Sequence, residues 1–129
     1  KTVVIEANTM SSIAKREILP AVEEYSAVIA STAAAKAALG SDIPCSYEKE
    51  VVKKLSVLTG QIFRAINALD AAIAALKDAE NIEEESYMIR DTVLTSMSEL
   101  RAVCDEAETL TPEKYWPFPT YGDLLFGVK

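Results

Sequence analysis

The chain contains no histidine, and that absence decides much of what its polar residues can do. No imidazole is present to act as a base, to complete a Glu-x-x-His metal pair in a helical bundle, or to relay a phosphate. Cys45 and Cys104 are the two cysteines, and they lack the paired spacing of a zinc site. They read as shielded thiols of a reducing compartment rather than as a disulfide. No glycine-rich phosphate loop is present. The carboxylates cluster as Glu23-Glu24, Glu83 to Glu85, and Asp105-Glu106 with Glu108. Neighbours on a helix point apart, so these runs read as solvated faces and dipole complements, not as an ion site. Arg64, Arg90 and Arg101 are the arginines an all-helical mutase would need. Arg90 and Arg101 directly follow the seam positions Ile89 and Leu100. Structural pairing is the reading adopted for them: Arg101 with Asp105, and Arg90 with the tail or a neighbouring carboxylate. No catalytic, cofactor-binding or metal-binding residue is assigned in this chain.

Three long helical segments must position whatever these residues do. The middle one is the most regular. Val51, Leu55, Leu58, Ile62, Ala65, Leu69, Ala72 and Leu76 repeat with a strict 4-3 spacing that puts one apolar seam on one helix face. Val52, Phe63, Ile66 and Ile73 widen that stripe, which predicts two neighbouring helices. Pro44 and Ser46 mark its start, with Glu48 and Glu50 suited to the first turn. Gly60 costs about 1 kcal/mol of helix propensity, and a close helix crossing is the expected reason for it.

The third segment continues the 4-3 ladder through Ile82, Ile89, Val93, Leu100, Val103, Ala107 and Leu110, with Ser86 and Ser96 on two rungs. Asn81 is its expected cap. The first segment, about residues 2–39, carries Ile5, Ile13, Ile18, Val22, Tyr25 and Ile29. Pro20 predicts a kink or break near Arg16 to Leu19, and Gly40 to Pro44 a stop. Asn8, Thr9, Asp91 and Thr92 are expected to hydrogen-bond across helices. The fold class is therefore all-α: an antiparallel bundle of three long helices, four if the first breaks at Pro20, over 1–110. An aromatic tail follows over 111–129. Thr111 and Pro112 predict a capped turn at its start.

That tail is the most distinctive stretch: Tyr115-Trp116-Pro117-Phe118-Pro119-Thr120-Tyr121-Gly122-Asp123-Leu124-Leu125-Phe126. Trp116, Phe118, Tyr121, Leu124, Leu125 and Phe126 are the residues expected to anchor it, on the bundle or on a neighbouring domain or subunit. The stretch resembles the close of type III glutamine synthetases, the large bacterial class, whose subunits end on Trp-Pro-x-Pro-Thr-Tyr and a short Leu-Phe motif. Two further blocks are similar to the region which that family carries after its catalytic domain. One is Glu6-Ala7-Asn8-Thr9 with Ile13-Ala14 and Ile18-Leu19-Pro20-Ala21. The other is Arg90-Asp91-Thr92-Val93-Leu94 with Met97, Leu100-Arg101, Asp105 and Glu108. The middle, about 33–81, matches only as generic helix.

The resemblance implies a non-catalytic C-terminal domain with a structural or assembly role. It also implies a cytoplasmic parent that joins ammonia to glutamate with ATP and Mg²⁺ or Mn²⁺. None of those sites falls in this chain, so no cofactor is expected here. The implied partners are the catalytic domain of the same chain and the neighbouring subunits of a ring-stacked homo-oligomer. The alternative is a free-standing helical interaction or sensor module. Net charge of -7 argues against nucleic acid and against anionic membrane surfaces. No apolar run reaches the roughly 20 residues a membrane span requires. Opening on Lys1 within helix-like sequence, the chain reads as a piece of something longer.

Overall fold

The computed structural model describes residues 2–118, and all of their regular structure is helical. Three arms run in succession. The first joins α1 (Thr2–Ile13) to α2 (Leu19–Leu39) through a π-turn at Ala14–Ile18. The second is α3 (Ser46–Ala75), closed by one 3₁₀ turn at Leu76–Asp78. The third joins α4 (Ile82–Met88) to α5 (Leu94–Leu110) through a second π-turn, Ile89–Val93.

Pro20 does not break the first arm. Its ring removes the N–H that Arg16's carbonyl would receive and crowds that carbonyl. The chain widens just upstream instead, and Leu19's N–H reaches back to the Ala14 carbonyl, five residues earlier. Pro20 then stands in the opening turn of α2, where its missing donor costs least. The bundle therefore has three arms, not four.

Two ties set the first and second arms antiparallel. Ser11 and Lys15 meet Asp70 near one end, and Lys36 meets Glu48 near the other. Between them, Gly40 turns the chain with φ 153°, and a Cβ there would lie 2.7 Å from Asp42 Oδ1. The third arm returns antiparallel to α3, so that Leu110 near its end lies beside Val51 and Leu55 near the start of α3. Asn81 caps its start by accepting from the Glu84 N–H at 2.7 Å, while Glu84 accepts from the Glu80 N–H at 2.9 Å.

The core lies along α3. Leu55, Ile62, Ile66 and Leu69 are buried there, facing Val22 of α2 and Leu100 of α5. Each such side chain contributes about 1.5–3 kcal/mol by leaving water. The middle ladder holds at all of its rungs, from Val51 to Leu76, with none exposed. The outer ladders do not. Ile5 is 65% exposed, Ile82 is 76% exposed, and Ser86 and Leu110 also face solvent. Phe63, expected to widen the stripe, is 58% exposed. Gly60 marks no helix crossing: a Cβ there would meet only the Arg64 guanidinium, at 3.5 Å.

Candidate interaction site

The polar residues singled out by type do not converge. Among the described residues no group of three His, Cys, Asp or Glu is placed to hold a metal. Arg64, Arg90 and Arg101 are all exposed. Among the described residues the ion pairs are made by lysine, and Arg101 is not within ion-pair distance of Asp105. Asn8, Thr9, Asp91 and Thr92 are exposed as well. Thr92 donates to the Met88 carbonyl of its own helix at 2.6 Å. That back-bond occupies a carbonyl at the edge of the second π-turn.

The polar contacts between arms fall on residues that spacing alone does not rank. Ser11 Oγ donates to Asp70 Oδ1 at 2.6 Å, and Lys15 Nζ lies 2.8 Å from Asp70 Oδ2. Burial pushes the Asp70 carboxyl up, but hydrogen bonds from Lys15 and Ser11 outweigh it and hold the group below its ordinary value. Lys36 donates to Glu48 Oε2 at 2.6 Å. That hydrogen bond lowers Glu48 and raises Lys36, so each favours the other's charge.

Both cysteines are free thiols. Cys45 points its sulfur at the Ala33 carbonyl, 3.7 Å away, beside the Gly40 turn. Cys104 lies in the third arm, and burial pushes its thiol up to about 11. So little thiolate forms at neutral pH that Cys104 is a poor nucleophile.

Two features are shaped to receive something. The first is the start of the tail. After Leu110 the chain turns tightly, with the Tyr115 N–H donating to the Pro112 carbonyl and the Trp116 N–H to that of Glu113. Thr111 does not cap this turn through its side chain, because its buried hydroxyl has no partner among the described residues. Tyr115 packs on Tyr25 with ring centroids 5.3 Å apart. Burial, with Tyr47 and Tyr115 close by, raises the Tyr25 phenol above its ordinary value. Trp116 and Phe118 pack against the bundle core and are partly buried. Tyr121, Leu124, Leu125 and Phe126 lie outside the described residues.

The second feature is a groove of about 530 Å³ between α1 and α5. Its floor is apolar, formed by Met10, Ile13 and Ile18 facing Met97, Leu100 and Cys104. Glu6, Thr9, Arg101 and Asp105 stand on its rim. Both resemblance blocks meet here: Glu6, Thr9 and Ile18 come from one, Met97, Arg101 and Asp105 from the other. Sequence reasoning did not find this groove, because Met10 and Cys104 lie off the ladder and the arms' relative rotation is set by the π-turns.

No family model matches the chain, and no solved structure matches it. It is 32% identical over 130 residues to a glutamine synthetase of Butyrivibrio fibrisolvens, a match covering 100% of this chain and 18% of that protein. It is 25% identical over 134 residues to a type-3 glutamine synthetase of Dictyostelium discoideum, covering 98% and 18%. A glutamine synthetase of Bacteroides fragilis matches at 27% over 78 residues, covering 60% of this chain and 11% of that protein. The chain is thus an all-helical domain homologous, along its whole length, to a segment of glutamine synthetases. The type-3 class is among those relatives, the class that the Trp116-to-Tyr121 stretch resembles. The chain spans about a fifth of the length of the relatives that it matches in full.

Proposed function

We propose that this chain is the C-terminal helical domain of a cytoplasmic type III glutamine synthetase and that its role is structural, supporting the assembly of the parent enzyme. The parent would join ammonia to glutamate with ATP and Mg²⁺ or Mn²⁺, in a catalytic domain outside this chain. The carrying observation is the full-length match to proteins more than five times longer, each named glutamine synthetase. The described residues offer no cluster that fits a divalent metal, and no step of the parent's chemistry is assigned to them. Their inter-arm charges are spent on holding the arms together, at Asp70 and at Glu48.

Apolar side chains left on the outside are the proposed contact points for the rest of the parent: Val28, Val57 and Phe63 are each more than two-fifths exposed, on three separate parts of the surface. Partly apolar patches of this kind mark interaction surfaces when they are contiguous. Phe63 adjoins Leu19 and Pro20 across one such patch.

The test is removal of this span from the full-length enzyme, followed by light scattering on a sizing column and assay of glutamine formation. The reading predicts a smaller assembly, with activity lost in proportion to assembly. A particle of unchanged size with a shifted KM for one substrate would overturn it in favour of a regulatory or substrate-handling domain. A native product near 14.0 kDa in the source cell would overturn the parent assignment itself.

A further inference from the structure

The groove between α1 and α5 is half-built: its floor is apolar, it is open along its length, and Ile5 at its far end is 65% exposed. The chain leaves α5 beyond the groove's near end, measured along the bundle axis. Tyr25 and Leu110 line one cleft, so the end of α5 lies level with Tyr25. That level is about 10 Å along the helix from Ile18, the nearest groove residue. There the chain turns through 112–116, lays Tyr115 on Tyr25, and tucks Trp116 and Phe118 against the core. Eleven residues of the sequence follow.

We infer that residues 119–129 seat in this groove, with Tyr121, Leu124, Leu125 and Phe126 completing the apolar layer between α1 and α5. Length allows it. From Ile18 to Ile5 the groove runs about 20 Å along the helix, and eleven extended residues reach about 35 Å. Chemistry favours it, because four large apolar side chains meet a floor of methionine, isoleucine and leucine. Arg101 on the rim suits Asp123, the one carboxylate side chain in the segment. The tether favours it over a separate partner, since a segment attached at Phe118 meets the bundle surface at an effective concentration of order millimolar.

Cys104 on the groove floor reports occupancy. In a Cys45→Ser background, the full 129-residue chain is compared with a form ending at Phe118, using a small methanethiosulfonate reagent. Seating predicts labelling of Cys104 at least about tenfold faster in the shortened form, since the opening of a single packed segment gates access in the full chain. Equal rates would overturn the proposal. A second measurement needs no truncation: p-benzoylphenylalanine in place of Phe126, irradiated and mapped by mass spectrometry. Cross-links within one chain to Met10 or Met97 support the seating. Cross-links between chains, or none on the groove, would overturn it and place the segment on a second copy or another domain. Neither measurement involves the parent enzyme, so failure here leaves the glutamine synthetase assignment standing.

Discussion

The middle arm and the two outer arms solve the same packing problem differently. The 30-residue α3 keeps one uninterrupted 4-3 seam that runs from Val51 to Leu76 at its closing turn, and each rung of the ladder turns inward. The outer arms each insert one π-turn, at Ala14–Ile18 and at Ile89–Val93. One residue rotates a helix by about 100°, so a π-turn re-aims everything on one side of it. From the last residue of the second π-turn onward, Val93, Leu100 and Ala107 stay on the core; before the turn, Ile82 and Ser86 swing out to solvent. A straight central helix thus serves as the template, and its neighbours bend their register to wrap it. The first π-turn lies inside one of the two blocks that resemble type III glutamine synthetases, and the second overlaps the start of the other, from Arg90 to Val93.

The largest effect that would break this comparison is a deletion. Removing Gln61, an exposed residue of α3, rotates half the central seam away from its partners and is expected to abolish cooperative melting. Removing Arg90 from the second π-turn restores ordinary helical register and moves only α4, which buries no side chain. That variant is expected to melt cooperatively within a few degrees of the parent chain. Equal damage from the two deletions, read by circular dichroism, would refute the template view.

Substitutions along α3 sharpen it. Leu69→Ala empties a fully buried rung and is expected to cost about 2–5 kcal/mol in urea denaturation. Phe63→Ala, on the same helix but 58% exposed, is expected to change stability by no more than about 0.5 kcal/mol.

The tie at Asp70 is smaller, about 1 kcal/mol or less because the pair is partly exposed. Its carboxyl sits below the ordinary value when folded, so its contribution is complete above pH about 4 and lost as pH falls through the lowered value. Asp70→Asn should therefore flatten the acid limb of stability against pH and leave the alkaline side unchanged. A mutant acid limb as steep as the parent's would assign that limb to other carboxylates. The smallest effect is a gain: Gly60→Ala fills open space beside Arg64 and is expected to add up to about 1 kcal/mol.

What the sequence made legible follows the same division. The α3 seam, the stop at Gly40 and the Asn81 cap were readable, since each rests on a local pattern with a local cause. The π-turns were not. Pro20 pointed to a disturbance at the right place, but a break and a widened turn relieve its clash equally well. Nothing in Ile89 to Val93 announces the second. The Ser11–Asp70 contact joins residues 59 positions apart, and no periodicity ranks a serine and an aspartate as partners at that distance. Conversely, Arg101 and Asp105 have ideal helical spacing for a pair, yet both stand on the groove rim outside ion-pair distance, because spacing permits a surface contact without requiring it.

The Gly40 turn also carries a consequence for how the chain folds. Lys36 and Glu48 are only 12 positions apart, against 59 for Ser11 and Asp70. Closing the shorter loop costs less chain entropy, so the hairpin of α2 and α3 is expected to form at its Gly40 end first and zip toward Asp70. On a ribosome that order has a use. The central helix and its first partner can be paired while the third arm is still being made, and α5 arrives to find its template already standing.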